Sequence, residues 1–411
     1  MATMSNRDAM AADTAIGAPP LAAFRTLVLA DDALQARLGA IERPDRYITD
    51  AIALAATHGI PLEADAIRNA ILPMGRPKPA PITLDRWPPR GWLPVHAVET
   101  GAAPAFDWVW FGAQPLDAPF YGDMIRRFAA RPFNRMFRIR TDLATLVDTS
   151  DTAAGPAPAG FIHHMSRCGS TLVAQMLGAD PHHVMLSEPA PLDAVVRWAL
   201  QSEAPRYDQV AALRAVVAAL GRDRSGQTHR VVFKLDSWHA VALPLFRAAF
   251  PETPWVFLYR DPVEILVSQQ RQRGIHTVPG LLPTSIVDIA GGADMAADRY
   301  AACVLKRIGE AVLDHWPLDH SPSGSGLLVD YAEMPDAVVD RIAPHFGFVP
   351  DAGQRAAMMQ VATRDAKAPD RRFTPDTTAK RRDATPEIEA ARVLVDPVHA
   401  RLETLRKASR P

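Results

Sequence analysis

Arg167, Cys168, Gly169, Ser170 and Thr171 close the stretch Phe161-Ile-His-His-Met-Ser-Arg-Cys-Gly-Ser-Thr-Leu-Val173. A guanidinium, a glycine and two hydroxyls within five residues are the means to hold a phosphate or a sulfate, provided backbone N–H groups at a helix start join them. The apolar run before the loop and the spacing of Val173, Met176 and Leu177 after it supply the setting, a strand, a turn and a helix. The loop is not the one that binds nucleoside triphosphates. That motif, Gly-x-x-x-x-Gly-Lys-Ser/Thr, asks for Gly where His164 stands and Lys where Ser170 stands.

A second segment, Trp255 to Ser268, reads as a buried strand running into a helix, with Asp261 as N-cap and Pro262 at the first helical position. Arg260 ends the strand, and Ser268 lies eight residues on, about two turns into the helix. A guanidinium fork and a hydroxyl so placed suit a second phosphate. Glu188 follows Arg167 by 21 residues, and Lys234 precedes Arg260 by 26. With six lysines in the chain (78, 234, 306, 367, 380 and 407), one that ends a β-branched apolar strand is conspicuous.

Taken together, these segments resemble the sulfotransferases that use 3′-phosphoadenosine 5′-phosphosulfate (PAPS), and in spacing most resemble the tyrosylprotein-type enzymes and their bacterial relatives. The resemblance implies that Arg167, Cys168, Gly169, Ser170 and Thr171 form the 5′-phosphosulfate loop and that Arg260 and Ser268 hold the 3′-phosphate. It also implies that Glu188 is the catalytic base and that Lys234 stabilises the transferring group. Tyr331, in Leu327-Leu-Val-Asp-Tyr-Ala-Glu-Met334, resembles the family's late tyrosine that approaches the adenine. A late basic segment often closes such sites, a part that Lys367, Arg371 or Arg372 could take as readily as they form a solvated loop.

By analogy with phosphoryl transfer, in-line sulfuryl transfer would depend on positioning and charge stabilisation, with no metal required. The histidine pairs His163-His164 and His182-His183 do not suggest one, since neighbours on a strand point to opposite faces. Two other classes stay open, a nucleotide kinase with a degenerate loop and a non-catalytic binder of adenosine 3′,5′-bisphosphate. The missing loop lysine speaks against the first, and Glu188 with Lys234 against the second. Phenols, carbohydrate hydroxyls and other small-molecule or peptide acceptors all suit one glutamate base.

The elements that must position these groups imply an α/β fold, a P-loop-type three-layer sandwich with a central parallel sheet, over residues 155–411. A small all-helical unit, 21–73, precedes it, and 1–20 reads as disordered. The helical unit resembles the leader-like domain of nitrogen-fixation-type peptide precursors, which implies a link to peptide modification; a generic helical bundle packed on the enzyme is the other reading. Residues 74–154 combine a proline-rich linker with an aromatic-rich segment that includes Trp87, Trp92, Trp108, Trp110 and Phe120. Residues 273–298, rich in Gly and Pro, suit a mobile lid. The last helical pattern, Thr385 to Lys407, carries Ile388, Val393, Val398, Leu402 and Leu405 on one face, with Pro397 breaking it.

Composition bounds the rest. With 411 residues, 45 basic and 46 acidic, the chain has a formal charge of −1 and no global field for nucleic acid. Its two cysteines, the want of a signal peptide and the want of a long apolar run imply a cytoplasmic protein without a membrane span. Cys168 follows the loop arginine, an order opposite to that of cysteine phosphatases, and so reads as a small residue that the loop tolerates. Oligomeric state is open.

Overall fold

The computed structural model describes residues 19–72, 80–116, 118, 120–149, 155–316, 326–366, 368–372, 374 and 376–409. The expected disorder over 1–18, most of the proline-rich linker and Lys367 lie outside the described residues.

Four helices, Pro20–Leu29, Asp32–Gly39, Pro44–Thr57 and Ala64–Ile71, come first. Asp31 caps the second through bonds from Ala33 N (2.7 Å) and Leu34 N (3.1 Å), and Pro44 opens the third. Strands β1 (Ile82–Thr83), β2 (Trp92–Glu99), β3 (Pro104–Trp110) and β4 (Ile139–Asp142) then form a sheet in the order β1-β4-β3-β2. The aromatics of this segment are its core: Trp92, Phe106, Phe111, Phe128, Phe133 and Phe137 are almost fully buried. Gln35 accepts a bond from the Trp92 indole at 2.8 Å and so ties the helices to this sheet.

A second sheet carries β5 (Pro158–His164), β6 (His183–Ser187), β7 (Arg230–Lys234), β8 (Trp255–Tyr259) and β9 (Gly326–Asp330). All its pairings are parallel, and the order is β6-β7-β5-β8-β9. Successive residues feed opposite layers. Phe161, Phe233, Trp255, Phe257 and Tyr259 join one core with the helices Pro262–Arg271 and Ala297–Asp314. Ile162, Val232, Val256, Leu258 and Val329 join the other, with the helix Ser170–Leu177 and the turns around Val338, Ile342 and Phe346. The fold is α/β with a central parallel sheet between two helical layers. Because β5 lies mid-sheet, and the chain leaves β5 and β8 toward opposite edges, a crevice opens at their carboxyl ends.

Three details depart from the sequence pattern. The last helical stretch is two helices, Pro386–Arg392 and Asp396–Ala408, and Pro397 starts the second one. Val393 falls in the break and is exposed, so it does not share the apolar face. Residues 364–372 are not a plain loop. They form a hairpin of β10 (Arg364–Asp365) and β11 (Ala368–Arg372). Among the described residues no helix is long and apolar enough to cross a membrane.

The β5 histidines diverge as strand geometry requires. His163 packs edge-on against Phe246 and Trp255, with neither ring nitrogen bonded, and burial pushes it down to about 3. The unfolded chain protonates such a group near 6.5, so the fold binds fewer protons below that pH and stability is lost as pH falls from 6.5 toward 3. Asp236, pushed up to about 6, acts in the opposite sense between 3.8 and 6. His163→Phe should therefore gain on the parent by up to about 1.4 kcal/mol per pH unit between 6.5 and 4. Denaturant melts at pH 7, 6, 5 and 4 measure this; a gap that does not change with pH would contradict it.

Candidate active site

The turn after β5 is left-handed at Ser166 (φ 62°), Arg167 (φ 50°) and Gly169 (φ 84°). Gly169 suits its place twice over, since a Cβ there would also stand 2.8 Å from the Tyr331 ring. Ser166 N–H donates to His164 Nδ1 (3.1 Å), which leaves the proton on Nε2 to donate to the Leu235 carbonyl (2.8 Å). Burial, with Lys234 nearby, holds His164 well below the usual imidazole range and hence neutral. The helix Ser170–Leu177 starts from this turn with Ser170 and Thr171 buried beneath the loop. The Cys168 side chain points the other way. It donates to the Leu258 carbonyl at 3.3 Å, and burial pushes the thiol up to about 12.

Arg167 reaches across the crevice, its Nε donating to Ser268 Oγ at 2.8 Å. The contact ties the β5 loop to the helix that follows β8. Arg260 leaves β8 into a buried cluster, donating to Glu264 Oε2 (2.6 Å), Asp376 Oδ1 (3.2 Å) and Thr377 Oγ1 (3.3 Å). Its guanidinium stands 3.8 Å from the Tyr331 ring centroid, a cation–π contact. A cavity of about 430 Å³ opens here, with apolar walls from Leu172, Tyr331, Met334 and Ala362 and a charged lining of Arg260 and Arg381 beside the carboxylates of Asp261, Glu264, Asp330 and Glu403. A ligand pocket commonly measures roughly 300–1,000 Å³.

Glu188 and Lys234 meet because their strands do. Ser187 pairs with Lys234 in the register of β6 and β7, and Glu188 N donates to the Lys234 carbonyl at 2.8 Å. Glu188 takes a left-handed backbone (φ 53°) that turns its side chain to the Lys234 ammonium, and the two form an ion pair. Lys234 is 1% exposed and Glu188 31%, so the carboxylate is the accessible partner. Phe120, from the aromatic-rich segment and just before the helix Tyr121–Ala129, has its ring centroid 5.6 Å from Lys234 Nζ.

Sequence reasoning missed several neighbours. Asp376, Thr377, Lys380 and Arg381 belong to the turn and helix at Thr377–Arg382, which bring the late charged groups to Arg260. Arg371 and Arg372 are exposed on β11 instead, outside the lining of that cavity. The scarcity of lysine, which marked Lys234, could have marked Lys380 as well. Asp193, Asp236 and His239 bring possible ligand atoms within 4.8 Å of one another. Trp238, His239 and Arg197 already converge on Asp193, at 3.0, 3.2 and 2.6 Å, and explain the trio as a hydrogen-bonded turn.

No protein-family model matches the chain, and no curated protein does. Solved structures similar to it are bacterial sulfotransferases. The sulfotransferase domain of the Synechococcus PCC 7002 olefin synthase is 17% identical, with 61% of this chain and 90% of that one covered, at a TM-score of 0.34. For the sulfotransferase domain of the curacin biosynthetic pathway the values are 15%, 59%, 99% and 0.37. For sulfotransferase STF9 from Mycobacterium avium they are 17%, 64%, 79% and 0.38. Likenesses at such TM-scores do not bear on the chemistry of this site.

Asp376 places a carboxylate on Arg260 where an external anion would also be drawn. Asp376→Asn should tighten inorganic pyrophosphate binding about three- to tenfold, measured by the ligand-induced rise in melting temperature. Unchanged pyrophosphate affinity would contradict this competition.

Proposed function

We propose that the chain is a sulfotransferase that moves a sulfuryl group from PAPS to a hydroxyl or amine acceptor, with Glu188 as general base. The observation that carries this reading is the contact between Arg167 and Ser268 at 2.8 Å. It sets two anion-binding sets side by side, one on the β5 loop and one on the helix after β8. A nucleoside triphosphate needs one such cradle. An adenosine bearing phosphate groups at both its 3′ and 5′ positions needs two.

The residues fit such a cofactor. Arg260, released from Asp376, and Ser268, released from Arg167, would hold the 3′-phosphate; Arg167 and the N–H groups of the Gly169–Thr171 turn would hold the phosphosulfate. Leu172, Tyr331 and Met334 give the cavity apolar walls against which a base can pack. When bound, the cofactor supplies an electrophilic sulfuryl group and a phosphate leaving group.

Glu188 then has a defined task. Its accessible oxygens accept the proton of the acceptor hydroxyl or amine, a contribution of about 10²–10⁴-fold in rate for general bases. Lys234, freed from Glu188 as that proton arrives, would offer its ammonium to negative charge on the transferring group. Phe120 shields this ammonium from water on the acceptor side. The acceptor is a small molecule or a peptide side chain that fits against Phe120.

Calorimetric titration with adenosine 3′,5′-bisphosphate, AMP and ATP tests the reading. Micromolar affinity for the bisphosphate, weakened at least 30-fold in Arg260→Ala and much poorer for AMP, is the expected result. Tighter binding of ATP with Mg²⁺ would overturn it in favour of a kinase. Glu188→Gln should keep the bisphosphate affinity and lose about 10²–10⁴-fold of the transfer rate to each acceptor the parent uses, read as labelled sulfate moved from PAPS. Undiminished transfer would remove Glu188 as the base.

A further inference from the structure

Among the described residues, a buried ring nitrogen beside this site lacks a partner. His276 stands on the turn Ile275–Thr277 that follows the helix Pro262–Arg271, and its Nε2 is buried without a hydrogen bond. The charged groups acting on the imidazole are Glu188 and Arg167, the proposed base and the loop arginine. Neutral His164 lies near enough to feel it as well. Burial is the main cause that pushes His276 down to about 4, with Glu188 opposing and Arg167 adding, so the ring is neutral at ordinary pH. Its neighbour Ile275 is turned outward, 70% exposed.

The position of this ring is built. Gln269, fully buried, donates from Nε2 to Ser166 Oγ at 2.9 Å and accepts at Oε1 from Gly274 N (2.8 Å) and Thr277 Oγ1 (3.0 Å). One amide therefore clamps the anion loop to the turn that carries His276. Gly274 makes room for the ring: a Cβ there would stand 2.6 Å from His276 Cε1. The start of the segment expected to be a lid is thus anchored to the loop. A buried polar atom left without a partner costs about 1–3 kcal/mol, an arrangement that makes sense where a ligand completes the bond.

We propose that His276 is a sulfuryl-binding residue, its neutral Nε2–H donating to a non-bridging oxygen of the cofactor's sulfate, with Gln269 as the positioning residue that holds it there. The proposal rests on the sulfotransferase reading and adds to it a contact specific to the sulfated form of the cofactor. A neutral donor suits this place. It strengthens as the sulfuryl oxygens gain charge, and it leaves the ion pair of Glu188 and Lys234 undisturbed.

The test is paired calorimetry of the full chain with PAPS and with adenosine 3′,5′-bisphosphate, which lacks the sulfate. In His276→Ala and His276→Phe the bisphosphate Kd should stay within twofold of the parent while the PAPS Kd rises at least fivefold. Gln269→Leu should shift the same ratio in the same direction, with a melting temperature that shows a folded protein. Equal weakening of both ligands, or of neither, would overturn the assignment of His276 while leaving the sulfotransferase reading standing. A parent that binds neither ligand would overturn both.

Discussion

A left-handed turn at the carboxyl end of one central strand is the constraint on which the rest of the site depends. Ser166 and Arg167 each hold a backbone that costs a non-glycine residue about 1–2 kcal/mol, and they hold it side by side. The surroundings fix them there. Met165 N–H donates to the Leu258 carbonyl at 2.8 Å, His164 accepts the Ser166 N–H, and Gln269 donates to the Ser166 hydroxyl oxygen. One partner is the last residue of β5 itself, one lies on β8 and one on the helix that follows β8. β8 flanks β5 on one side of the turn, and on the other the chain leaving β7 holds His164 through the Leu235 carbonyl. Strain held by its surroundings in this manner is characteristic of functional turns.

The electrostatics follow from the same placement. Arg260 and Glu264 are both below 5% exposed, Lys234 is 1% exposed, and Lys380 is 5% exposed. Burying so many charges does not serve stability well, because desolvation offsets most of the attraction between paired ions. Their concentration at the carboxyl ends of the strands makes sense as preparation for an anionic ligand, to which each cation can be handed over from an internal carboxylate. In this structure Glu188 pairs with Lys234, and Asp376 with Arg260.

Much of this was readable in the chain. The strands β5 and β8, the helix starts at Ser170 and Pro262, and the alternation of His163 and His164 follow from local pattern, because each depends on residues close in sequence. The meeting of Glu188 with Lys234 depends on strand register, and only the likeness to a known spacing suggested it. His276, Asp376, Lys380 and Phe120 were not legible. They reach the crevice through a turn, a late helix and the start of the helix Tyr121–Ala129, whose docking is set by tertiary packing; the scarcity of lysine and the lid-like composition of 273–298 were hints at two of them, and register supplied none. The basic residues that did stand out, Arg371 and Arg372, lie on an exposed hairpin because composition records charge and not direction.

The most direct test of the central claim is a crystal structure of the protein grown with adenosine 3′,5′-bisphosphate. The account predicts the 3′-phosphate on Arg260 and Ser268, the 5′-phosphate on the N–H groups of the Gly169–Thr171 turn, and Asp376 displaced from Arg260. Nucleotide bound elsewhere, or bound with Asp376 still on Arg260 and the β5 turn untouched, would contradict it.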